Sequence, residues 1–159
     1  MILTFTSTVH DPENRLGDLI EEVGDPLREL FESATVAYTP RTHPETITLL
    51  TKKKYSVYKA GNTVISSYQT ALKQALDLKV DALIYCDLDR ALHWMRTYPK
   101  ELRKIAETPP ENDLVLIGRT KRAFETHPET QKLTEGIETS CPRKSSVSML
   151  PVTSLGQRG

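Results

Sequence analysis

The sequence lacks the features that mark several large protein classes. Only two of its 159 residues are cysteines, Cys86 and Cys141, and they form neither a CxxC pair nor a zinc-binding spacing. Two reduced thiols fit the cytoplasm, and the apolar run around Cys86 predicts that this thiol is buried. The chain opens without a basic leader, and no apolar run approaches membrane-spanning length. We therefore expect a cytoplasmic protein without a transmembrane segment.

Neither sign of charge is in excess. Lysine and arginine together number 21, as do aspartate and glutamate, so the formal net charge is zero. This balance argues against nucleic acid as a partner, because nucleic-acid-binding proteins normally carry an excess of basic residues. The motifs GxxxxGK[ST], GxGxxG and GxSxG are also absent. Their absence argues against a P-loop, a Rossmann dinucleotide site and the nucleophile elbow of a serine hydrolase.

Strand-type and helix-type patterns alternate along the chain. Runs rich in β-forming residues predict strands at residues 2–6, 35–38, 55–58, 80–86 and 114–117. Apolar residues at helical spacing predict two short helices within 16–31, interrupted at Gly24 and Pro26, and further helices at 44–50, 64–76 and 128–135. Two helical segments are predicted after the strand at 80–86, and the second of them starts at Tyr98-Pro99. This alternation predicts an α/β fold with a mostly parallel central sheet flanked by helices in three layers. We expect one domain over residues 1–136 and a loosely ordered extension over residues 137–159.

Ligands of open parallel sheets bind beyond the carboxyl ends of the strands. The acidic turn Asp87-Leu88-Asp89 follows the strongest strand pattern of the chain. Two carboxylates at this place supply the hard oxygen ligands that Mg²⁺ or Mn²⁺ prefers when it bridges a protein to substrate phosphates. The alternative is an acidic turn that only caps the next helix. The buried strand before it favours the metal site.

Other polar residues lie near predicted strand ends or on helix faces. His93 follows Asp89 by one helical turn and is a candidate third metal ligand. Arg119 and Arg122 follow a buried strand, and their guanidinium groups suit phosphate oxygens. Glu135 belongs to a polar stripe with His127 and Gln131, which forms either a solvent face or part of a substrate site with Glu135 as a base.

The order of these features resembles the nucleotide-sugar half of GT-A fold glycosyltransferases. The residues that carry the resemblance are the helix opened by Gly61-Asn62, the strand over 80–86 and the turn Asp87-Leu88-Asp89. It spans about residues 1–136 and is most similar to family 2-like enzymes and their retaining relatives, including the glucosyl-3-phosphoglycerate synthase type.

The resemblance implies a role for several residues. Asp87 and Asp89 match the pair of aspartates that holds Mg²⁺ or Mn²⁺ on the diphosphate of a nucleotide-sugar. The segments Thr6-Ser7 and Thr39 to Arg41 match the region that cradles the nucleotide. On the acceptor side, Gly118-Arg119 and Thr134-Glu135 are similar to segments that line the second substrate. The resemblance thus implies binding of the nucleotide-sugar by Thr6, Ser7, Thr39, Arg41, Gly61, Asn62, Asp87 and Arg122, and catalysis by Glu135 and Arg119.

The chain departs from the family pattern at two places. The first strand lacks the Pro-x-x-Asn/Glu ending of family 2, and the chain ends where further strands and helices of the acceptor side are expected. The expected function is a metal-dependent glycosyltransferase domain that transfers a sugar from a nucleotide-diphospho-sugar to an unknown acceptor. A nucleotidyltransferase and a degenerate, non-catalytic binding domain are the alternatives. The first would need a loop rich in glycine and lysine where this chain has residues 7–11. The sequence is also compatible with a homodimer.

Overall fold

Four parallel strands form a central sheet, and five helices flank it. The computed structural model describes residues 3–108. Its elements are β1 (Leu3–Val9), α1 (Gly17–Arg28), β2 (Ser33–Tyr38), α2 (Pro44–Lys52), β3 (Ser56–Lys59), α3 (Val64–Leu76), β4 (Ala82–Tyr85), α4 (Leu88–Thr97) and α5 (Pro99–Glu107). The predicted α/β fold with a parallel sheet is confirmed over this range. The predicted strand at 114–117, the helix at 128–135 and the boundary after residue 136 lie outside the described residues.

β1 lies in the interior of the sheet, whose strand order is β3-β2-β1-β4. Thr6 is opposite Thr35 of β2 on one side and Tyr85 of β4 on the other. The chain therefore proceeds from β1 towards β3 and then crosses back to the other side of β1. Such a reversal separates the loops on either side of the central strand and opens a crevice at its carboxyl end.

The first face of the sheet carries the main hydrophobic core. Helix α1 packs against both α2 and α4 on this face. Phe5 of β1 stacks on Phe31 with their ring centroids 5.4 Å apart. Leu27 and Leu92 are fully buried in the same cluster, against which Trp94 packs. Burial of several large apolar side chains makes this layer the principal source of hydrophobic stability.

The second face of the sheet is lined by hydroxyl groups and covered by α3. The Thr6 hydroxyl donates to the backbone carbonyl of Ala71 at 2.9 Å, and Thr35 donates to Thr6 at 2.9 Å. The residues that α3 buries are small, namely Ser67, Ala71 and Ala75. Small side chains let the helix backbone approach the strands closely enough for this direct hydrogen bond.

Three elements differ from the sequence prediction. β1 continues to Val9, because residues 7–9 pair with residues 36–38 of β2. The region expected to hold two helical pieces forms the single helix α1, which continues through Gly24 and Pro26. The side chains of Lys53 and Tyr55 donate to the carbonyls of Glu21 and Gly24, at 3.2 and 2.8 Å. These bonds join α1 to the segment after α2 on either side of Glu22, whose carbonyl is the one that loses its helical donor because Pro26 has no N–H.

The strand before the acidic turn is shorter and less covered than predicted. The sequence predicted residues 80–86 as a strand buried on both faces, whereas β4 spans Ala82–Tyr85 and each of its residues is half-buried. Cys86, predicted to be buried, is likewise half-buried. A strand at the margin of the described sheet has one neighbour fewer than β1, which explains the difference.

Two helix starts follow the sequence signals closely. α2 begins at Pro44, and the ring of His43 accepts a hydrogen bond from the backbone of Glu45 as its N-cap. α5 begins at Pro99, as predicted. Proline is favoured at this first position because its fixed φ suits the helix and its missing N–H costs nothing there. None of the helices between residues 3 and 108 is long and apolar enough to cross a membrane.

The hydroxyl of Thr6 gives a first testable prediction. Thr6→Val keeps the shape of the side chain but leaves the Ala71 carbonyl and the Thr35 hydroxyl without their buried partner. We expect the free energy of unfolding to fall by about 1–3 kcal/mol, measured by urea denaturation. The matched variant Thr48→Val, on the exposed side of α2, is expected to change it by less than about 0.5 kcal/mol. Equal stability of Thr6→Val and the wild type would contradict this account.

Candidate functional site

Two adjoining depressions lie at the carboxyl edge of the sheet. The first has a volume of about 400 Å³ and the second about 370 Å³. Both are bordered by Thr8, Val9 and His10, the end of the central strand. The first extends to the ends of β2 and β3, and the second extends to the end of β4. Together they occupy the crevice that the reversal of strand order creates.

Asp11 fixes the loop that follows β1. Its carboxylate accepts hydrogen bonds from the backbone N–H groups of Arg15 and Leu16, at 2.8 and 3.1 Å, and from the Thr46 hydroxyl at 2.9 Å. The Asp11 side chain is only 4% exposed. Its oxygens are thus occupied by the start of α1 and by α2. Although Asp11 borders the second depression, it acts as a structural anchor that holds the loop in place.

The carboxylate of Asp87 is held at the mouth of the crevice by two hydroxyl groups. The Tyr85 hydroxyl donates to Asp87 Oδ1 at 2.9 Å, and the Thr8 hydroxyl donates to the same oxygen at 3.4 Å. The two hydroxyls lie 3.0 Å from each other. The other oxygen, Oδ2, lies 3.6 Å from Nε of Arg90. Residues from β1, β4 and α4 therefore converge on this one carboxylate.

Helix capping does not account for this arrangement. Asp87 occupies the N-cap position of α4, yet its side chain makes no capping hydrogen bond. An aspartate whose only task is to cap would accept a bond from the second or third helical N–H. The carboxylate instead turns towards Thr8 and Tyr85 on the sheet.

Burial keeps the phenol of Tyr85 neutral. Removal of its hydroxyl from water raises the pKa of Tyr85 well above the usual range, and the nearby Asp87 carboxylate raises it further, although the bond with Thr8 acts in the opposite direction. A neutral phenol is a hydrogen-bond donor at all ordinary pH values. Tyr85 therefore remains a fixed donor to Asp87.

The predicted metal ligands are brought together only in part. Asp87 and Asp89 border the same depression, and Asp89 is exposed in the first turn of α4. His93 is half-buried further along this helix and does not form a three-ligand group with them. Between residues 3 and 108, no three His, Cys, Asp or Glu side chains form such a group. The two aspartates fit the arrangement in which Mg²⁺ binds one or two carboxylates and takes its remaining oxygens from phosphate and water.

The first depression contains the residues predicted at the ends of β2 and β3. Thr39, Arg41 and Asn62 line it, as expected from their positions at strand ends. Its far wall is formed by Val64 and Tyr68 of α3. The depression thus combines polar groups and one cationic side chain with an apolar wall, a mixture that suits small organic ligands.

His10 was not identified from the sequence. Its side chain is exposed where the two depressions meet, and its Nδ1 lies 2.7 Å from the Thr39 hydroxyl. The first strand was predicted to end at residue 6, with residues 6–8 at the ligand edge of the sheet and His10 in the loop beyond them. The β-branched residues Thr8 and Val9 are the signal that would have extended the strand.

Three predicted binding residues lie away from the surface of these depressions. Thr6 and Ser7 are fully buried within β1, and their hydroxyls bond to backbone carbonyls. Gly61 is exposed before α3, and a Cβ at this position would come within 2.8 Å of Ser66 Oγ. Ser66 and Thr63 form the capping box of α3. The glycine therefore permits the close approach of the helix cap, while its neighbour Asn62 borders the first depression.

The predicted acceptor-side residues Arg119 and Glu135 lie outside the described residues, and so does Arg122, which was predicted to bind the nucleotide-sugar. Comparison with known proteins gives no further assignment, because no family model, curated protein or solved structure matches the chain.

The buried tyrosines give a prediction for alkaline pH. Burial also raises the pKa of Tyr55, whose hydroxyl donates to the Gly24 carbonyl. A group whose pKa is raised by folding contributes stability that is complete below its unfolded pKa, about 10 for tyrosine, and that is lost as the pH rises through its folded pKa. We expect unfolding free energy to decline above about pH 10, and Tyr85→Phe to make this decline shallower. Phenolate absorbance measured against pH, with circular dichroism, tests this; an unchanged slope would refute it.

Proposed function

We propose that this chain binds a nucleoside-diphosphate sugar together with Mg²⁺ or Mn²⁺ at the carboxyl edge of the sheet, as a glycosyltransferase domain. One observation carries the proposal. The oriented carboxylate of Asp87 and the exposed Asp89 border one depression, which adjoins a second depression of mixed polarity at the strand-order reversal. A ligand that has a diphosphate at one end and a nucleoside at the other matches both halves of this crevice.

The nucleoside occupies the first depression in this proposal. Thr39 and Asn62 offer hydroxyl and amide groups for the ribose and base, and Tyr68 offers an aromatic edge or face to the base. Arg41 supplies a cationic group at the same rim. These residue types can bind a neutral base and a polar sugar simultaneously.

The diphosphate occupies the second depression. Asp87 and Asp89 are the residues that would hold the metal ion, with Tyr85 and Thr8 orienting the first of them. When bound, such an ion neutralises the negative charge that develops on the departing diphosphate. His10 lies at the junction of the two depressions, within reach of the bridge between nucleoside and phosphates, and Arg15 provides a further positive group beside the diphosphate.

Sugar transfer requires a second group of residues around the acceptor. The residues proposed for it are Arg119, which would stabilise negative charge, and Glu135, which would accept the proton of an acceptor hydroxyl. Arg122 is proposed to contact the nucleotide-sugar. These assignments rest on sequence alone, whereas the binding half of the proposal also rests on the geometry of the crevice.

Calorimetric titration tests the binding half. The titrants are UDP-, GDP- and ADP-sugars, each with and without Mn²⁺. We expect at least one of them to bind in a Mn²⁺-dependent manner and Asp87→Asn to weaken this binding at least about tenfold, because the metal loses a charged ligand. The matched control is Asp77→Asn, which removes an exposed aspartate at the end of α3. The affinity of Asp77→Asn for the sugar nucleotide should equal that of the wild type.

The negative outcomes are distinct. Failure of all three sugar nucleotides to bind would overturn the proposal. Equal affinity of Asp87→Asn and the wild type for the sugar nucleotide would contradict the proposed role of a metal ion in binding. Metal-dependent binding with neither transfer to an acceptor nor hydrolysis of the sugar nucleotide would indicate a non-catalytic binding domain.

A second variant tests the orienting role of Tyr85. Tyr85→Phe deletes the hydroxyl that donates to Asp87, and we expect the apparent Mn²⁺ dissociation constant to rise about 10-fold, as is usual when a partner of a ligating carboxylate is lost. Tyr55→Phe is the matched control because it also deletes one buried phenolic hydroxyl, between α1 and the start of β3. An equal loss of Mn²⁺ affinity in both variants would mean that general destabilisation, rather than orientation of Asp87, causes it.

A further inference from the structure

Between residues 3 and 108, six large hydrophobic side chains are exposed, and all of them lie on α3 or directly after it. They are Val64, Ile65, Tyr68, Leu72, Leu76 and Leu78, and they are between 38% and 69% exposed. These six residues are called the α3 face below. Their spacing of three and four along the helix places the first five on one continuous stripe.

The α3 face exists because the helix buries its small residues instead of its large ones. Ser67, Ala71 and Ala75 point towards the sheet, where the Thr6 hydroxyl bonds to the Ala71 carbonyl. Rotation of α3 to bury its leucines would break this bond and separate the helix from the strands. The helix orientation is therefore fixed from the sheet side, and the apolar stripe faces outward.

The area of the α3 face is large for a solvent-exposed apolar surface. Its six side chains expose on the order of 500 Å². A standard protein interface buries about 800 Å² on each partner, so these residues would form the centre of such an interface and the polar residues beside them its rim. A patch of this size equals the largest apolar patch of a typical monomer, which is often a functional surface.

Charge indicates which partner fits. Lys73 is the only charged residue within α3, whereas α5 carries charge at five of its nine positions. An acidic or basic partner would find no complementary groups on the α3 face. A second copy of the same face, in contrast, meets it without like-charge repulsion.

We propose that the α3 face binds the α3 face of a second copy of this chain across a two-fold axis. The two helices are antiparallel, so that Lys73 in the second half of one helix lies opposite the uncharged first half of the other. Such an interface is self-complementary, as two-fold symmetry requires. The proposal does not rest on the proposed function, because it needs neither nucleotide nor metal, but Val64 and Tyr68 border both the α3 face and the first depression.

Sedimentation velocity of the full chain over a concentration series tests the proposal. The wild type is expected to sediment at twice the monomer mass of 17.9 kDa at micromolar concentrations. Leu72→Asp and Leu76→Asp are each expected to give the monomer and to weaken association at least tenfold, since each places a charge in the apolar centre. Neither residue borders the candidate nucleotide site. Thr48→Asp, an equal change on the exposed side of α2, should leave the dimer intact.

Several results would overturn the proposal. A wild type that is monomeric throughout would do so, as would a dimer that both leucine variants preserve. Thermal melting of each variant checks that it is folded. A monomeric wild type whose melting temperature drops strongly in Leu72→Asp would show that something other than a second copy covers this face. If the wild type is a monomer that sediments with phosphatidylcholine vesicles, and Leu72→Asp does not sediment with them, the α3 face binds a lipid surface instead of a second copy.

Discussion

Pairing of β1 with a strand on each side is the constraint on which the candidate site depends. Because β1 is paired with β2 through Val9 and with β4 through Thr6, its last residues project from the sheet between two separated loops. The Asp11 carboxylate then binds the following loop to α1 and α2. Thr8 and His10 consequently have fixed positions between the aspartates and the polar end of β2. The crevice is a product of strand order, and individual side chains only refine its chemistry.

The two faces of the sheet are stabilised by different means. One side buries large apolar residues such as Phe5, Leu27 and Leu92, whose contribution scales with area. The other side is joined to α3 by small side chains and by the Thr6 hydroxyl, which donates to the Ala71 carbonyl and accepts from Thr35. This difference explains why the same sheet can carry a thick helical layer on one face and a closely seated single helix on the other. It also explains why the large side chains of α3 point outward.

The sequence predicted the alternation of strands and helices, the parallel sheet and the starts of α2 and α5, because each depends on local patterns or on proline. It could not predict the end of β1 or the continuity of α1. The first depends on pairing with β2, and the second on Lys53 and Tyr55, which reach α1 from a distant part of the chain. In the site, the position after a strand indicated Asp87 and Asp89, and the family resemblance implied Thr39, Arg41 and Asn62. The Tyr85 and Thr8 contacts with Asp87 join residues from separate strands, so they cannot be predicted from local sequence and are known only from the fold.

The close seating of α3 has a consequence for the width of the first depression. Val64 and Tyr68 form its far wall, and their distance from β1 is set by the thickness of the side chains beneath the helix. Ala71 and Ala75 do not border the depression, yet they act as spacers that fix how far this wall stands from the strands. A larger side chain at either position would lift α3 and widen the opening. The width of this depression therefore depends on interior side-chain volume, and can change without alteration of any residue that lines it.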